Sequence, residues 1–318
     1  MNKIKRYFLL YLPALLFLLV SAALTYFLIN NVGYTQTETE PSYVFRDTQD
    51  VPVLLYHHVD KVGKGDSTIS LKHFKRHMKL LTEAGYNTVT VSELADYVYG
   101  IAPLPENPVC VTFDDGYRSN YTLAFPFLKE NDLKATIFAI GCSFGKSTYK
   151  DTGIPIIPHF SYEEAKEMVS SGLVEIQSQT YDMHQSYDFS GEGARELAIP
   201  HPKEQINDFK TVFKNDFKTY DDEYFKHFEK HITSFSYPHG ISSDITEKIL
   251  AECGVISTFT TLSGGKNTLK LNSPESLKKM YRITITESMS DTDFMRAITD
   301  IYGMPDAKTG DVEIEDEQ

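Results

Sequence analysis

Two adjacent carboxylates mark the stretch of this sequence best suited to chemistry. Asp114 and Asp115 follow the apolar run 109–113, and Gly116 and Tyr117 come directly after them. The run has the composition of a buried β-strand, so both carboxylates are predicted at its carboxyl end, where ligands bind in α/β folds. Neighbouring carboxylates repel each other and need a compensating cation or a shared proton. Asp and Gly are also common turn formers, and a simple turn is the alternative interpretation.

Polar residues also follow three other strand-like runs. They are His57 and His58 after the run 51–56, Gln179, Thr180 and His184 after the run 173–177, and His239 after the run 232–237. Carboxylates together with imidazoles suit a divalent transition metal such as zinc, which activates water or polarises a carbonyl. Each group alone is explained by a strand cap, a turn or a surface histidine. Their joint occurrence at successive strand ends favours one shared site.

Strand-like and helix-like segments alternate through most of the chain. The strands are predicted at residues 51–56, 87–91, 109–113, 134–140, 173–177, 232–237, 255–260 and 281–285. Helices are predicted from apolar residues at helical spacing, such as Ile206, Phe209, Phe213 and Phe217. This alternation predicts a parallel sheet, and eight βα units favour a closed barrel over an open doubly wound sheet.

The first 32 residues are predicted to be a signal-anchor or transmembrane segment. Three basic residues among the first six precede an uncharged stretch, residues 7–30, that is long enough to cross a bilayer as a helix. The basic flank predicts a single-pass protein of the cell membrane with its folded part outside the cytoplasm. A cleaved signal peptide, which would make the protein secreted, is the alternative.

The rest of the chain divides into three parts by composition. Residues 33–50 are polar and are interpreted as a linker, residues 51–303 as the compact domain, and residues 304–318 as an acidic tail. Hydrophobic residues make up 41% of the chain and charged residues 24%, as in ordinary globular proteins. The chain is therefore expected to contain one large folded domain.

Charge and motifs exclude two classes of partner. The formal net charge is −13, which argues against a basic surface for nucleic acid. No GxGxxG or Walker loop follows a predicted strand, so no nucleotide is expected. The three cysteines, Cys110, Cys142 and Cys253, have the spacing of neither a disulfide framework nor a zinc motif.

Four segments together resemble the NodB-homology polysaccharide deacetylases, carbohydrate esterase family four. Residues 112–117, Thr-Phe-Asp-Asp-Gly-Tyr, are similar to the first signature, residues 175–180 to the second and residues 235–240 to the third. Residues 51–58 are similar to the opening, with Tyr-His-His, of a subgroup that includes poly-N-acetylglucosamine deacetylases. The resemblance spans residues 51–301 and implies a distorted (β/α) barrel of seven to eight strands.

The resemblance also implies an activity and roles for single residues. The expected enzyme is a metal-dependent N-deacetylase acting on linear amides of a cell-wall or surface polysaccharide with N-acetylglucosamine or N-acetylmuramic acid units. Asp114 is implied as the general base, His57 as the general acid, and the backbone N–H of His239 as a donor to the oxyanion. Asp115 and His184 are implied as ligands of a divalent metal, with zinc as the expected ion.

Gln179 departs from the family pattern, because it stands where the family has its first metal-binding histidine. An amide oxygen is a weaker ligand for zinc than an imidazole. As a candidate ligand, Gln179 predicts a weakly bound metal and slow turnover. The first alternative is a metal-poor pseudoenzyme that binds glycan without turnover, and the second is a change particular to this chain in an otherwise active enzyme. His159 is a weaker candidate for the missing ligand and is interpreted as a cap or a cleft-lining residue.

Two further points concern Asp114. Ser236 and Tyr237 replace the Arg-containing form of the third signature, which removes an expected partner of this carboxylate.

A glycosidase also uses paired acids, but its carboxylates flank the scissile bond at about 5–10 Å. Asp114 and Asp115 are neighbours in a strand and are expected to point in opposite directions, which disfavours this alternative.

Overall fold

The structure is a computed structural model that describes residues 43–44, 46–150, 152–191, 193–261 and 265–303. The predicted membrane segment, the first ten residues of the predicted linker and the acidic tail lie outside these ranges. No helix within the described ranges is long and apolar enough to cross a membrane.

The described strands and helices follow one another in a largely alternating order. The strands are β1 (Tyr43–Val44), β2 (Thr48–Asp50), β3 (Val53–Tyr56), β4 (His58–Asp60), β5 (Thr68–Ser70), β6 (Asn87–Val89), β7 (Leu104–Pro105), β8 (Pro108–Asp115), β9 (Ala135–Ala139), β10 (Val174–Ser178), β11 (Ser234–Ser236), β12 (Ser257–Phe259), β13 (Thr268–Lys270) and β14 (Ile283–Thr284). The α-helices are α1 (Leu71–Glu83), α2 (Val91–Val98), α3 (Phe125–Glu130), α4 (Tyr162–Ser170), α5 (Tyr187–Ser190), α6 (Ile206–Phe228), α7 (Asp244–Glu252) and α8 (Asp291–Tyr302).

The central sheet has eight strands, and all of its pairings are parallel. Its order is β12-β11-β10-β9-β8-β3-β14, with β6 paired to the beginning of β8. A parallel bridge between Phe259 and Met280 joins β12 to the segment that leads into β14, and thus connects the two ends of this order. The predicted parallel sheet is confirmed, and its curl with surrounding helices fits a (β/α) barrel.

Each of the eight predicted strands corresponds to one strand of the central sheet. The short strands outside it were not apparent from the sequence, because two or three residues carry too little periodicity. Residues 43–44 and 48–50, which fall in the predicted linker, form β1 and β2 and pair antiparallel with β7 and β13. The described end of that segment is therefore part of the folded unit.

Strand β8 positions the two carboxylates and is buried along its whole length. Because side chains alternate between the faces of a strand, Val111 and Phe113 pack into one apolar cluster and Cys110 into another. Asp114 has the same parity as Cys110 and faces the side of the second cluster. A strand buried on both faces reads as a continuous apolar run, which is why the sequence predicted it well.

The long helix α6 packs its aromatic face against the sheet. Phe209, Phe213 and Phe217 are buried, as their spacing predicted. Ile206 belongs to the same predicted face but is 47% exposed. It is the first residue of the helix and lies before the turn at which α6 meets the core.

Candidate active site

Residues at or just after the carboxyl ends of four central strands, β3, β8, β10 and β11, meet at one edge of the sheet. Asp114 contacts Gln179 and Ser236, and Asp115 contacts His184, so β8, β10 and β11 contribute to one cluster. The predicted residues that the structure brings together there are Asp114, Asp115, His57, Gln179, His184 and His239.

Asp114 is 1% exposed and accepts hydrogen bonds from three side chains. Arg282 donates from Nη1 to Oδ1 and from Nη2 to Oδ2, both at 2.7 Å. Ser236 Oγ and Gln179 Nε2 donate to Oδ2 at 3.1 and 3.2 Å. The bidentate guanidinium compensates the buried negative charge and fixes the plane of the carboxylate. Oδ1 keeps acceptor capacity, since a carboxylate oxygen accepts about two hydrogen bonds.

Arg282 corrects the expectation that Asp114 has lost its basic partner. Its side chain is fully buried beside Asp114, its Nε donates to the carbonyl of Thr260 at 3.2 Å, and its guanidinium lies over the ring of Phe138. The sequence alone does not identify this residue. The available signal was one charged residue within the predicted apolar strand 281–285, and only the curled sheet brings it to the end of β8.

Asp115 ends β8 in a left-handed backbone conformation. Its φ is 70°, and Gly116 follows with φ 82°. Such values are uncommon for a residue with a side chain and concentrate at functional sites. Glycine is required next, because a Cβ at Gly116 would lie 2.9 Å from the Cβ of Ala139. The Asp115 Oδ1 atom is buried, has no hydrogen-bond partner among the described residues, and lies 3.6 Å from Nε2 of His184.

The surroundings of Asp115 lower its pKa below the ordinary value. Burial alone raises the pKa of this carboxyl group, but neighbouring groups more than offset that effect. In order of size, these groups are His184, His57, the hydroxyl of Tyr117 and His159. One ionised carboxylate therefore has three imidazoles near it, a set of groups suited to a divalent transition metal.

The loop after β10 positions His184. Asp216 on α6 accepts hydrogen bonds from the backbone N–H groups of Tyr181 and Asp182, at 2.8 and 2.7 Å. Burial raises the pKa of Asp216 to about 6 in spite of these two bonds. Thr180 at the start of the loop has a φ of 90°. The loop thus makes a tight turn that a side chain from a different element holds in place.

His239 lies in the short turn Pro238–Gly240 that follows β11. Its φ of 54° and ψ of 14° are left-handed. Gly240 has φ 68°, and a Cβ there would meet the backbone nitrogen of Thr261 at 2.2 Å, so the turn requires this glycine. The His239 ring meets the ring of His184 edge to face, with centres 4.8 Å apart. Partial burial and the neighbouring His184 lower the pKa of His239.

Gln179 is 2% exposed and joins the two aspartates. Its Oε1 accepts a hydrogen bond from the backbone N–H of Asp115 at 2.9 Å, and its Nε2 donates to Asp114 at 3.2 Å. The oxygen that a metal would need is therefore engaged by the backbone of β8. Its role as a weak metal ligand stays a prediction.

The donor atoms present fit a divalent metal in part. Two ligand atoms bound to a tetrahedral zinc ion at about 2.0–2.1 Å lie roughly 3.4 Å apart. The 3.6 Å between Asp115 Oδ1 and His184 Nε2 is close to that value, and the oxygen has no other partner within the described part of the chain. Asp115 and His184 would thus hold the ion. No three His, Cys, Asp or Glu residues of the described ranges already stand in a metal-binding arrangement.

His57 and His159 also lie near Asp115. The backbone oxygen of His57 accepts a hydrogen bond from Asn120 at 2.8 Å, which orients the residue after β3. The Nδ1 atoms of both histidines are buried and lack a hydrogen-bond partner among the residues described. The ring of His159 rests against Tyr117, with centres 5.1 Å apart. His57 has a ring nitrogen available for the implied role of general acid, which stays a prediction.

A cavity of about 490 Å³ lies elsewhere on the molecule, beside the beginning of β10. Its lining includes Glu175, Lys230 and His231 but none of the predicted site residues. The Glu175 carboxylate accepts hydrogen bonds there from Ser92 and from the side chain of Gln177. The cavity is therefore separate from the cluster around the two aspartates.

Comparison with known proteins relates this chain to the polysaccharide deacetylases. The family model for polysaccharide deacetylases matches residues 102–257. The Bacillus subtilis protein YxkH, whose name places it among the polysaccharide deacetylases, is 29% identical over 245 residues, covering 77% of this chain and 74% of its own length. The poly-β-1,6-N-acetyl-D-glucosamine N-deacetylase of Escherichia coli K12 is 26% identical over 231 residues, which are 69% of this chain but 34% of the relative.

A solved structure gives the same assignment. IcaB from Ammonifex degensii matches with a TM-score of 0.61 and 25% identity, covering 80% of this chain and 97% of the other. The matched region includes both aspartates, Gln179, His184 and His239 within the family model. Residues 102–257 therefore belong to a polysaccharide deacetylase domain of the NodB type, the domain of an N-deacetylase enzyme, and relatives of the chain are named poly-N-acetylglucosamine deacetylases.

Proposed function

We propose that this protein is a metal-dependent hydrolase that removes N-acetyl groups from a cell-wall or surface polysaccharide with N-acetylglucosamine or N-acetylmuramic acid units. The observation that carries the proposal is the pair Asp114 and Asp115 at the end of β8. One carboxylate is bound by Arg282, and the other faces His184 with an oxygen that has no other partner among the described residues. The name of the Escherichia coli relative supports an N-acetylglucosamine polymer as substrate.

Hydrolysis of an acetamide needs an activated water, a stabilised oxyanion and a proton for the leaving nitrogen. A bound divalent metal, with zinc expected, would supply Lewis acidity that polarises the carbonyl and acidifies water. Asp114 is the base in this proposal. Its carboxylate is held in one orientation by Arg282, and Oδ1 has remaining acceptor capacity for the proton of the attacking water.

The other two requirements fall to histidines at the same edge of the sheet. His57 is the proposed acid, because a buried ring nitrogen with no partner in the described part of the chain lies beside Asp115. The backbone N–H of His239 is the proposed donor to the oxyanion. The left-handed turn in which His239 lies, and the glycine after it, hold that N–H group in a defined direction.

A glycan-binding pseudoenzyme is the second candidate, and Gln179 favours it. The Gln179 oxygen is engaged by the backbone of Asp115, so the position gives no free ligand for a metal. Loss of a ligand lowers metal affinity, and such a site would keep its sugar-binding surface without turnover.

Acetate release from defined N-acetylated oligosaccharides tests the proposal. Oligomers of β-1,6-linked N-acetylglucosamine, chitin oligomers and peptidoglycan fragments are incubated with the full chain, with and without zinc or a chelator. The proposed enzyme releases acetate from at least one of them in the presence of zinc, and Asp114→Asn abolishes release. New reducing ends without acetate would instead indicate a glycosidase.

Gln179→His separates the slow enzyme from the pseudoenzyme. An added imidazole is a better zinc ligand than an amide, so this variant is expected to bind zinc more tightly and to release acetate faster. Sugar binding without acetate release in both proteins would support the pseudoenzyme. An unchanged zinc affinity would refute position 179 as part of the metal site.

The location of the protein is also a proposal. Residues 1–32 are proposed to anchor the chain in the cell membrane, with the deacetylase domain outside the cytoplasm where the polysaccharide is found. Fractionation of cells that express the full chain, followed by protease treatment of intact spheroplasts, tests this. A protected domain in the soluble fraction would contradict the proposal.

A further inference from the structure

The proposed metal site has a missing third ligand. Asp115 and His184 present donor atoms 3.6 Å apart, but the Gln179 oxygen is held by the backbone N–H of Asp115. Zinc in catalytic sites is held by three protein ligands and keeps a fourth position for water. Another side chain of this cluster must therefore complete the set if the proposed function is correct.

The ring of His239 contacts the ring of His184 in an arrangement that suits two ligands of one metal ion. The two rings stand edge to face at 83°, with their centres 4.8 Å apart. Two imidazoles bound to one tetrahedral zinc ion, with Zn–N bonds of about 2.0–2.1 Å, have their ring centres roughly 5 Å apart. The observed separation is therefore compatible with two ligands that share an ion.

The backbone around His239 supports a role for its side chain. A left-handed conformation is unfavourable for a residue with a Cβ and persists only where the surroundings impose it. Here Thr261 Oγ1 donates to the carbonyl of His239 at 3.1 Å, and Gly240 leaves just enough room for the backbone of Thr261. The turn directs the histidine toward His184 rather than along the strand.

The same histidine has the freedom that ligation needs. The side chains of Asp115 and His184 are 11% and 18% exposed, whereas His239 is exposed to solvent. The three residues do not yet form a closed metal site, and His239 is the most exposed of them. His159 is less suited, because it is buried and its ring rests on Tyr117.

We infer that the imidazole of His239 is the third protein ligand of the divalent metal, beside Asp115 and His184. Gln179 then has a structural role, because its side chain links the carboxylate of Asp114 to the backbone N–H of Asp115. This inference rests on the proposed metal-dependent function, but metal binding can be measured without turnover.

Zinc and cobalt titrations of the metal-free full chain test the inference. Zinc affinity is measured by competition with a chromophoric chelator, and cobalt is followed through its visible absorption, which reports the ligands. His239→Ala is expected to weaken zinc binding by about 100-fold or more, beyond the roughly 10–100-fold effect of an outer partner. It should also change the cobalt spectrum, because one nitrogen ligand is lost.

His231→Ala is the matched control. His231 is exposed, lies away from the cluster, and has its Nδ1 atom 2.8 Å from Oδ2 of Asp221. It should leave both titrations unchanged, and circular dichroism should give the same fold for both variants. Wild-type zinc affinity and cobalt spectrum in His239→Ala would overturn the inference while leaving the proposed deacetylase intact. A wild-type chain that binds neither metal would overturn it as well, and acetate release would then decide the function separately.

Discussion

At the scale of single residues, two neighbouring aspartates have opposite surroundings. Asp114 accepts hydrogen bonds from three side chains, including a bidentate Arg282, whereas an oxygen of Asp115 has no hydrogen-bond partner in the described ranges and lies 3.6 Å from His184. The alternation of side chains along β8 and the left-handed turn at Asp115 separate the two groups. Adjacent and chemically identical residues can thus take different roles, because their partners come from different strands.

The pairing of Arg282 with Asp114 predicts a large effect on stability. Arg282→Met leaves the buried carboxylate without its counter-charge, and breaking such a pair costs about 3–5 kcal/mol. Urea denaturation at neutral pH should show a loss of this size. The double variant Asp114→Asn with Arg282→Met should be less destabilised than Arg282→Met alone, since it contains no unpaired charge. An equal or larger loss in the double variant would show that packing, and not charge, makes Arg282 important.

At the scale of elements, a helix on one side of the sheet holds the loop that carries His184. Asp216 belongs to α6, and it accepts hydrogen bonds from two successive backbone N–H groups in the loop after β10. The loop has no regular structure of its own over these residues. Its conformation therefore depends on a residue more than thirty positions later in the chain.

Asp216→Ala is expected to loosen this loop and weaken metal binding. The variant removes two hydrogen bonds, and changes to such supporting residues typically lower metal affinity by about 10–100-fold. Competition titration with a chelator measures the effect. Asp222→Ala is the matched control, because Asp222 lies on the same helix in an exposed pair with Lys218. A lower melting temperature with unchanged zinc affinity would mean that Asp216 stabilises the fold only.

The contact between α1 and α8 predicts a dependence of stability on pH. His77 of α1 is 1% exposed, and its ring stacks on Phe294 of α8 with centres 4.0 Å apart. Burial, followed by the charges of His73 and Arg76, lowers the pKa of His77 to about 4, although Asp291 and Glu287 act in the opposite direction.

Because the pKa of His77 in the folded protein lies below its ordinary value of 6.5, the fold favours the neutral ring. The contribution of the neutral His77 ring to the free energy of unfolding is fully present above pH 6.5 and is lost as the pH falls toward 4. A shift from 6.5 to about 4 corresponds to about 3 kcal/mol. Urea denaturation at pH 7 and pH 4.5 should show the loss, and His77→Leu should reduce it. A pH dependence identical to that of the wild type would contradict this assignment.

At the scale of the whole molecule, the net charge of the protein is expected to affect how strongly it binds the proposed polysaccharide substrate. The chain has a formal net charge of −13, whereas an N-acetylated sugar polymer of this class has neutral amide groups. Each acetyl group removed leaves an amine that can take up a proton. Attraction between the protein and its product should therefore grow as deacetylation proceeds.

We expect partly deacetylated oligosaccharides to bind more tightly than fully acetylated ones at low ionic strength. The Debye screening length falls from about 30 Å at 0.01 M salt to about 3 Å at 1 M salt, so the difference in affinity should shrink as salt is added. Calorimetric titration of both oligosaccharides into Asp114→Asn, which does not turn over in the proposed mechanism, measures this. Equal binding at low salt would show that the local site outweighs the net charge.

The sequence by itself determined the eight strands of the central sheet and the carboxylates at the end of β8. These features are local, since an apolar run, a glycine and a strand end are readable from neighbouring residues. The signature around Asp114 and Asp115 also indicated the family, which the comparisons confirm. The helical face of α6 was likewise predicted, apart from Ile206 at its first turn.

The tertiary structure alone decided which side chains meet. Arg282 reaches Asp114 across 168 positions of the chain, because the curled sheet brings β14 and the segment before it next to β3 and β8. The engagement of Gln179 by Asp115, and the edge-to-face contact of His184 with His239, depend on loops from different strands. Such contacts have no local signature, since they arise from the packing of elements and not from the residues beside each one.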